Sequence, residues 1–321
     1  MTFPAPLPPG RVGGRCHSDA VISLLSAPSN LGLRPPHATS VPGTAKAPEA
    51  LREAGLFTRF AALGARDAGT VLPGRYADDA TPGRLRNHDL IVDHARRVAA
   101  RLTQIRTAVD TPLVVGGDCS LIVGAGLALR TAPGRYGLVH LDGHTDFRHP
   151  GNSAGCAALA GEDLAAAIGR HWPAIADLDG LGPYFRPEDT VHAGCRDDDG
   201  RLPEVRDAIA LALRSSDIIR DGAAAAAGIR ARLTRPDLDG YWLHLDVDIL
   251  DPEVLPAVDS PSPGGLSAEQ LTELLAALAP GAVGAQITVF DPDLDPDGRY
   301  ARVLTDALVA GLAGLGKDRK G

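Results

Sequence analysis

The sequence predicts an α/β protein with a three-layer α/β/α architecture and a mostly parallel central sheet. Short apolar runs typical of buried strands alternate along the chain with segments that carry apolar residues at helical spacing. This alternation is typical of parallel strands joined by helices that cover both faces of one sheet. With 321 residues, 44% of them hydrophobic, the chain can bury a substantial core in one domain.

The N-terminal residues 1–20 are rich in Pro, Gly and Arg without periodicity, which predicts a flexible tail before a single domain over 21–321. The first strand is expected at 21–25, and the longest helix, with regularly spaced apolar residues, at 87–109. The other predicted strands are 112–115, 136–142, 190–194, 217–219, 241–246 and 282–290. The other predicted helices are 47–56, 121–129, 161–169, 222–233, 267–278 and 299–312.

The charge balance of the chain is acidic, with a formal net charge of -8 and a sequence pI near 5.7. Proteins that bind phosphates usually carry a basic excess, so we expect no nucleic-acid partner and no membrane partner. No apolar run approaches the roughly 20 residues of a membrane-spanning helix, and residues 1–20 lack an apolar signal core, so a cytoplasmic protein is expected. The four cysteines show no paired C-x-x-C spacing, so neither a zinc knuckle nor a disulfide framework is indicated.

Potential metal ligands end two of the predicted strands. Asp142, His144 and Asp146 stand at alternate positions, so in an extended chain they project to the same side. Asp246 and Asp248 end a second strand in the same way. Four carboxylates at the carboxyl edge of one buried sheet cannot all stay ionised without compensation, so a site for divalent cations is predicted. The alternative is that these aspartates only cap helices or form turns.

Three motifs resemble those of the arginase/agmatinase/formiminoglutamase family, the ureohydrolases. They are 116–120 (Gly-Gly-Asp-Cys-Ser), 142–146 (Asp-Gly-His-Thr-Asp) and 246–248 (Asp-Val-Asp), in the order and spacing of the family. The resemblance implies an arginase-like three-layer fold and a binuclear manganese centre. It also implies hydrolysis of a guanidino group by metal-activated hydroxide, and a homo-oligomer that is a trimer or a hexamer.

Carried over position by position, the resemblance implies a role for each ligand. Asp142 and Asp246 would bridge two metal ions. His144 and Asp248 would complete one site, and Asp146 would complete the other. Asp146 would also orient the hydroxide and pass a proton to the departing amine, so Asp146 and His144 are the candidate catalytic residues.

Cys119 stands where the family has a histidine ligand beside Asp146. A thiolate is a softer ligand and shifts the preference from manganese toward zinc or iron, whereas a neutral thiol binds weakly. A buried thiol with no ligand role is the alternative. We therefore expect two divalent metal ions, manganese first, with zinc or iron as the alternatives because of Cys119.

Two further departures affect the substrate side of the predicted site. Ala160 stands where arginases carry a histidine that shuttles protons, and Val289 stands where family members carry a glutamate that binds the guanidinium. Loss of that glutamate removes a charge-assisted contact of about 1.5 to 3 kcal/mol. The candidate substrate contacts are Arg148, Asp197, Asp199 and Ser260.

The expected function is that of a metal-dependent amidinohydrolase, which cleaves a small-molecule guanidino (linear amidine) substrate to urea or a urea-like product and an amine. Three alternatives remain open. The first is hydrolysis of an N-hydroxylated or otherwise modified guanidine. The second is a single-zinc, deacetylase-like amidohydrolase with Asp142, His144 and Asp246 as ligands, and the third is a catalytically inactive, arginase-like binding protein.

Overall fold

The central sheet has eight parallel strands in the computed structural model, which describes residues 21–319. The strands are β1 (Ile22–Ala27), β2 (Arg66–Thr70), β3 (Thr111–Gly116), β4 (Gly137–Leu141), β5 (Thr190–Cys195), β6 (Leu211–Arg214), β7 (Tyr241–Asp246) and β8 (Ala282–Thr288). Their order across the sheet is β2-β1-β3-β8-β7-β4-β5-β6. The predicted tail over 1–20 lies outside the described residues.

Helices cover both faces of this sheet. They are α1 (Ala47–Glu53), α2 (Leu56–Ala62), α3 (His88–Thr107), α4 (Leu121–Thr131), α5 (Asp163–Ala167), α6 (Pro173–Ala176), α7 (Leu202–Ala208), α8 (Ser215–Arg220), α9 (Gly222–Leu233), α10 (Ala268–Leu278) and α11 (Arg299–Leu312). Leu24 packs into one core with α1, α2 and α9–α11, and Leu25 packs into a second core with α3–α5. Successive strand residues face opposite sides of a sheet, so the two cores make the predicted three layers.

Helix α10 illustrates how the sequence builds this packing. Ser267 Oγ accepts from Gln270 N at 3.2 Å and Gln270 Oε1 accepts from Ser267 N at 2.9 Å, which satisfies two free amides at the helix start. The buried residues of the helix are Leu271, Leu274, Leu275 and Leu278. They form one apolar stripe, and each buried leucine contributes about 1.5 to 3 kcal/mol to stability.

The edge of the sheet differs from the prediction. The predicted strand at 217–219 is wrong, because these residues lie in α8, where Asp217 accepts from the Arg214 backbone amide at 3.1 Å and caps the helix. The strand of this region is β6, which ends at Arg214. Strand β2 was not predicted, because it is an exposed edge strand without an apolar run.

Strand β8 ends two residues earlier than predicted, at Thr288. Val289 has a φ of 75°, which is a strained value for a β-branched residue, and its amide donates to the Gly117 carbonyl at 2.7 Å. This turn brings the end of β8 against the loop that follows β3. Over residues 21–319, no helix is both long and apolar enough to cross a lipid bilayer.

Candidate metal centre

The carboxyl ends of β4 and β7 place the acidic residues together. The two strands are neighbours and pair in register, with His140 opposite His244. Asp142 and Asp246 each lie two residues further along, so both reach the same level on the same face of the sheet. Both side chains are buried. Ligand sites of parallel α/β sheets usually lie at this carboxyl edge, between the loops that follow the strands.

Backbone amides orient one oxygen of each carboxylate. Asp142 Oδ1 accepts from the His144 amide at 2.6 Å, and Asp246 Oδ1 accepts from the Asp248 amide at 2.8 Å. Asp248 Oδ1 accepts from the Gly143 amide at 2.9 Å, while its Oδ2 lies 2.8 Å from His144 Nδ1. Asp142 Oδ2 is buried and has no hydrogen-bond partner among residues 21–319.

Cys119 lies two residues before the start of α4, against the carboxylate cluster. Its thiol donates to Asp246 Oδ2 at 3.0 Å and lies 3.2 Å from Thr288 Oγ1. The chain can approach this closely because residue 117 is a glycine, where a Cβ would lie 2.4 Å from the Ser29 amide nitrogen. The thiol of Cys119 is therefore within hydrogen-bond distance of one of the candidate metal ligands.

Burial and crowding shape the charges of the cluster. Burial raises the pKa of Asp142 and Asp246 well above the usual range, and neighbouring carboxylates raise it further. Burial also raises the pKa of the Cys119 thiol, and the charge of Asp246 adds to this effect. Without cations, the favoured state is therefore a neutral thiol beside partly protonated carboxyls.

His144 and Asp248 form the exception. Their hydrogen bond raises the pKa of His144 to about 9, even though burial opposes this. Burial would raise the pKa of Asp248, but the hydrogen bond from His144 and its positive charge outweigh burial and lower it. In the metal-free protein His144 and Asp248 therefore form an ion pair. The proton on the His144 imidazole must leave before the protonated nitrogen can bind a cation.

The donor set fits divalent cations. One ligand atom from each of Cys119, Asp142 and Asp246 lies within 4.8 Å of the others, and the same holds for Asp142, His144 and Asp248. The two groups share Asp142, whose second oxygen lacks a partner among the described residues. Bound cations would supply the positive charge that the buried carboxylates require.

A row of buried histidines lies deeper in the sheet than the carboxylates. The sequence motifs did not predict this row. His192, His140 and His244 stand side by side on β5, β4 and β7. Nδ1 of His140 is 2.9 Å from Nδ1 of His192, and the rings of His140 and His244 stack at 4.7 Å. Asp163, at the start of α5, faces the row, with Oδ2 at 3.4 Å from His140 Nε2.

The buried histidines are neutral. Burial lowers the pKa of His140 to about 3 and holds the pKa of His192 and His244 well below the usual value for histidine. A signal for two of them was present in the sequence, because His140 and His244 precede Asp142 and Asp246 by two residues and so share their face. The position of His192 beside His140 depends on strand pairing, so local spacing in the sequence does not indicate it.

A cavity of about 320 Å³ opens above the carboxylates. His144, Asp146, Asp246 and Asp248 line it, together with Ala160 and Val289, the two residues that the sequence analysis identified as departures from the family. The predicted substrate contacts Arg148, Asp199 and Ser260 also line this cavity.

Asp197 does not belong to the lining of this cavity. Its carboxylate lies 3.9 Å from Arg214 Nε, and its side chain is 55% exposed. Asp199 reaches the cavity, but its oxygens already accept from the Thr145 amide at 2.9 Å and the Thr145 hydroxyl at 3.0 Å. Its contacts support the loop that carries the metal ligands.

The fold and the site together define an α/β protein whose ligand set suits two divalent cations. Residues 21–313 match the model of the arginase family, and the chain belongs to this family of ureohydrolases. Family members are hydrolases that act on C–N bonds in linear amidines, typically with two manganese ions. The predictions of family and fold are thereby confirmed.

Individual relatives match over most of their length. The chain is 27% identical over 300 residues to an arginase of Bacillus caldovelox, covering 91% of this chain and 98% of that protein. It is 30% identical over 299 residues to an arginase of Agrobacterium fabrum, covering 88% of each. The solved structure of the Bacillus caldovelox arginase gives a TM-score of 0.82 at 28% identity and covers 92% of this chain and 98% of that one. Proclavaminate amidino hydrolase from Streptomyces clavuligerus, at 23% identity and a TM-score of 0.68, covers 93% of this chain and 92% of its own and shares the fold.

Proposed function

We propose that this protein is a metal-dependent amidinohydrolase, which cleaves a C–N bond of a guanidino substrate to give urea or a urea-like product and an amine. The observation that carries the proposal is the cluster of Asp142, His144, Asp246 and Asp248, of which His144, Asp246 and Asp248 line the cavity. Membership of the arginase family supports it. A homo-oligomer, a trimer or a hexamer, is part of the same proposal.

The residues divide into ligands and proton carriers. Asp142, His144, Asp246 and Asp248 would hold divalent cations. Divalent cations bound there would supply an activated water for attack on the amidino carbon. Carboxylate and imidazole ligands favour manganese, while zinc or iron are the alternatives near Cys119.

Asp146 is the group placed to move a proton. It borders the cavity in a left-handed backbone conformation with a φ of 43°. Burial raises the pKa of its carboxyl, and the charge of Asp163 adds to this. Its place at the cavity wall would let this carboxyl pass a proton to the departing nitrogen, a role that Ala160 cannot fill.

The cavity walls favour a substrate that also carries a carboxylate. Arg34, Arg148 and Arg201 line the cavity, and none of the three guanidinium groups has a carboxylate partner within residues 21–319. Nε of Arg148 is buried and makes no hydrogen bond to any described residue. The guanidinium packs on Gly161, where a Cβ would lie 2.0 Å from its terminal nitrogen. We therefore propose a guanidino acid as the substrate class, since arginine binds carboxylates in two-point contacts.

The test is urea and amine release by the metal-loaded protein over matched pairs of guanidino acids and their carboxamides. Arg148→Ala should lower kcat/KM for the acids about 10- to 150-fold, the equivalent of about 1.5 to 3 kcal/mol for a charged hydrogen bond, and leave the carboxamides nearly unchanged. Arg186→Ala, an exposed arginine that does not line this cavity, is the matched control.

Three outcomes contradict parts of the proposal. Equal losses on acids and carboxamides would mean that Arg148 does not bind the carboxylate. Deacetylation with one bound zinc and no urea release would favour the deacetylase-like alternative. Loaded protein that cleaves no member of the panel would favour an inactive binding protein.

A further inference from the structure

Several buried polar atoms converge between the carboxylates and the histidine row. The side chain of Asp163 is 0% exposed, and among residues 21–319 neither of its oxygens makes a hydrogen bond of good geometry, although the Asp146 carboxyl and the Leu164 amide lie close to it. In the same described part of the chain, His140 Nε2 and Asp142 Oδ2 are also buried without partners. Buried polar groups without a partner are rare because they lose their hydrogen bonds to water, so such a group of them indicates an absent ligand.

The separations between these atoms are those of ligands around one ion. His140 Nε2 lies 3.4 Å from Asp163 Oδ2 and 3.7 Å from Asp142 Oδ2. A tetrahedral ion with bonds of about 2.0 to 2.3 Å holds its ligand atoms roughly 3.3 to 3.8 Å apart. Cys119 has a ligand atom within 4.8 Å of Asp163 and, in a second group, of Asp142.

Hydrogen bonds identify which histidine can bind. The Trp242 indole donates to Gln286 Oε1 at 2.9 Å, so Gln286 Nε2 faces His244 Nδ1 at 2.7 Å and donates to it. The neutral His244 ring then carries its proton on Nε2 and points it toward Asp163 Oδ2, 3.8 Å away. His244 is therefore a donor beside the site.

His140 differs from His244 in its second nitrogen. Its Nδ1 can donate to His192 Nδ1 at 2.9 Å, which leaves the lone pair of Nε2 free for a metal. Histidine ligands in proteins are usually held by such a hydrogen bond from the opposite ring nitrogen.

We propose that Cys119, His140, Asp142 and Asp163 form an inner metal site. This site lies deeper in the sheet than the position beside Asp146 that the family motifs imply. One sulfur, one imidazole and two carboxylates in a closed, buried set are a zinc-type arrangement. Cys119 then belongs to the inner site, and the cavity position keeps Asp142, His144, Asp246 and Asp248. The two positions take different ions. This inference does not depend on the proposed reaction.

The first test is zinc X-ray absorption spectroscopy of the full-length, metal-stripped protein reloaded with one equivalent of zinc. We expect one sulfur at about 2.3 Å and one imidazole nitrogen at about 2.0 Å on the same ion. Sulfur without imidazole would place the ion beside Asp146 and overturn the inference. Imidazole without sulfur would place the ion at His144 and would overturn the inference. Protein that binds no zinc would overturn it as well.

A matched pair of variants gives the second test. Asp163→Asn should lose the ion that shows both sulfur and imidazole, whereas Asp146→Asn should keep it. Far-UV circular dichroism reports whether each variant is folded, and the spectrum of the wild-type protein stands if either is not. An Asp163→Asn protein that keeps the wild-type zinc spectrum would overturn the inference.

Discussion

Asp163→Asn should stabilise the metal-free protein and weaken zinc binding. Both effects follow from the replacement of one carboxylate oxygen by an amide nitrogen. The substitution keeps the shape of the side chain and removes its charge. Asp163 is fully buried, and burial raises the pKa of its carboxyl well above the usual range. A raised folded-state pKa means that the ionised carboxyl opposes folding.

The size of this effect follows from the pKa difference. Below the unfolded pKa of about 3.9 the carboxyl is protonated in both states, and wild type and variant should be equally stable. As the pH rises from there toward the folded pKa, the penalty grows by about 1.4 kcal/mol per pH unit. At pH 6 the variant should therefore be more stable by up to about 3 kcal/mol, or about 4 °C in unfolding midpoint for a chain of this length.

The assay is denaturant unfolding of chelator-treated protein between pH 4 and 8, with Asp198→Asn as the control. Asp198 is an exposed aspartate, so its substitution should change the free energy of unfolding by less than about 0.5 kcal/mol. A gain that does not grow with pH would show that Asp163 is ionised at no cost in the folded protein. The reasoning about unpartnered buried atoms would then fail as well.

Two further predictions concern the metal ligands. Cys119→His should raise the manganese content and lower the zinc content of protein reloaded from equal concentrations of both ions, because imidazole suits manganese better than thiolate does. Cys195→Ser is the control. Unchanged metal content in Cys119→His would mean that Cys119 only packs in the core. Metal affinity should fall at least tenfold per pH unit below about pH 9, because His144 with its pKa of about 9 must lose a proton to bind an ion, and calorimetry in two buffers should detect the released proton. A constant affinity from pH 6.5 to 8.5 would contradict the His144–Asp248 ion pair.

Much of the candidate site could be predicted because its signals are local. Asp142, His144 and Asp146 follow one another at alternate positions, and an extended backbone alone places them on one side. Asp246 and Asp248 repeat the pattern, and parallel strands expose their carboxyl ends at one edge. Local spacing together with one rule of sheet topology was therefore sufficient.

The errors in the fold lie at the edges of the sheet. Strand β2 exposes most of its residues and carries no continuous apolar run, and the four-residue strand β6 is only partly buried. The apolar pair Ile218 and Ile219 resembled a strand, yet Asp217 caps the helix there and only Ile218 is buried. Edge strands are defined by their hydrogen bonds to a neighbour more than by their composition.

The sequence by itself determined the alternation of strands and helices, the family and the candidate ligands of the cavity position, because each depends on residues close together in the chain. Only the tertiary structure decided that His140 and His192 would touch across two strands and that Asp163 would face them from a helix start. These contacts depend on strand order and register, which long-range pairing sets. The same pairing places the Cys119 thiol against Asp246.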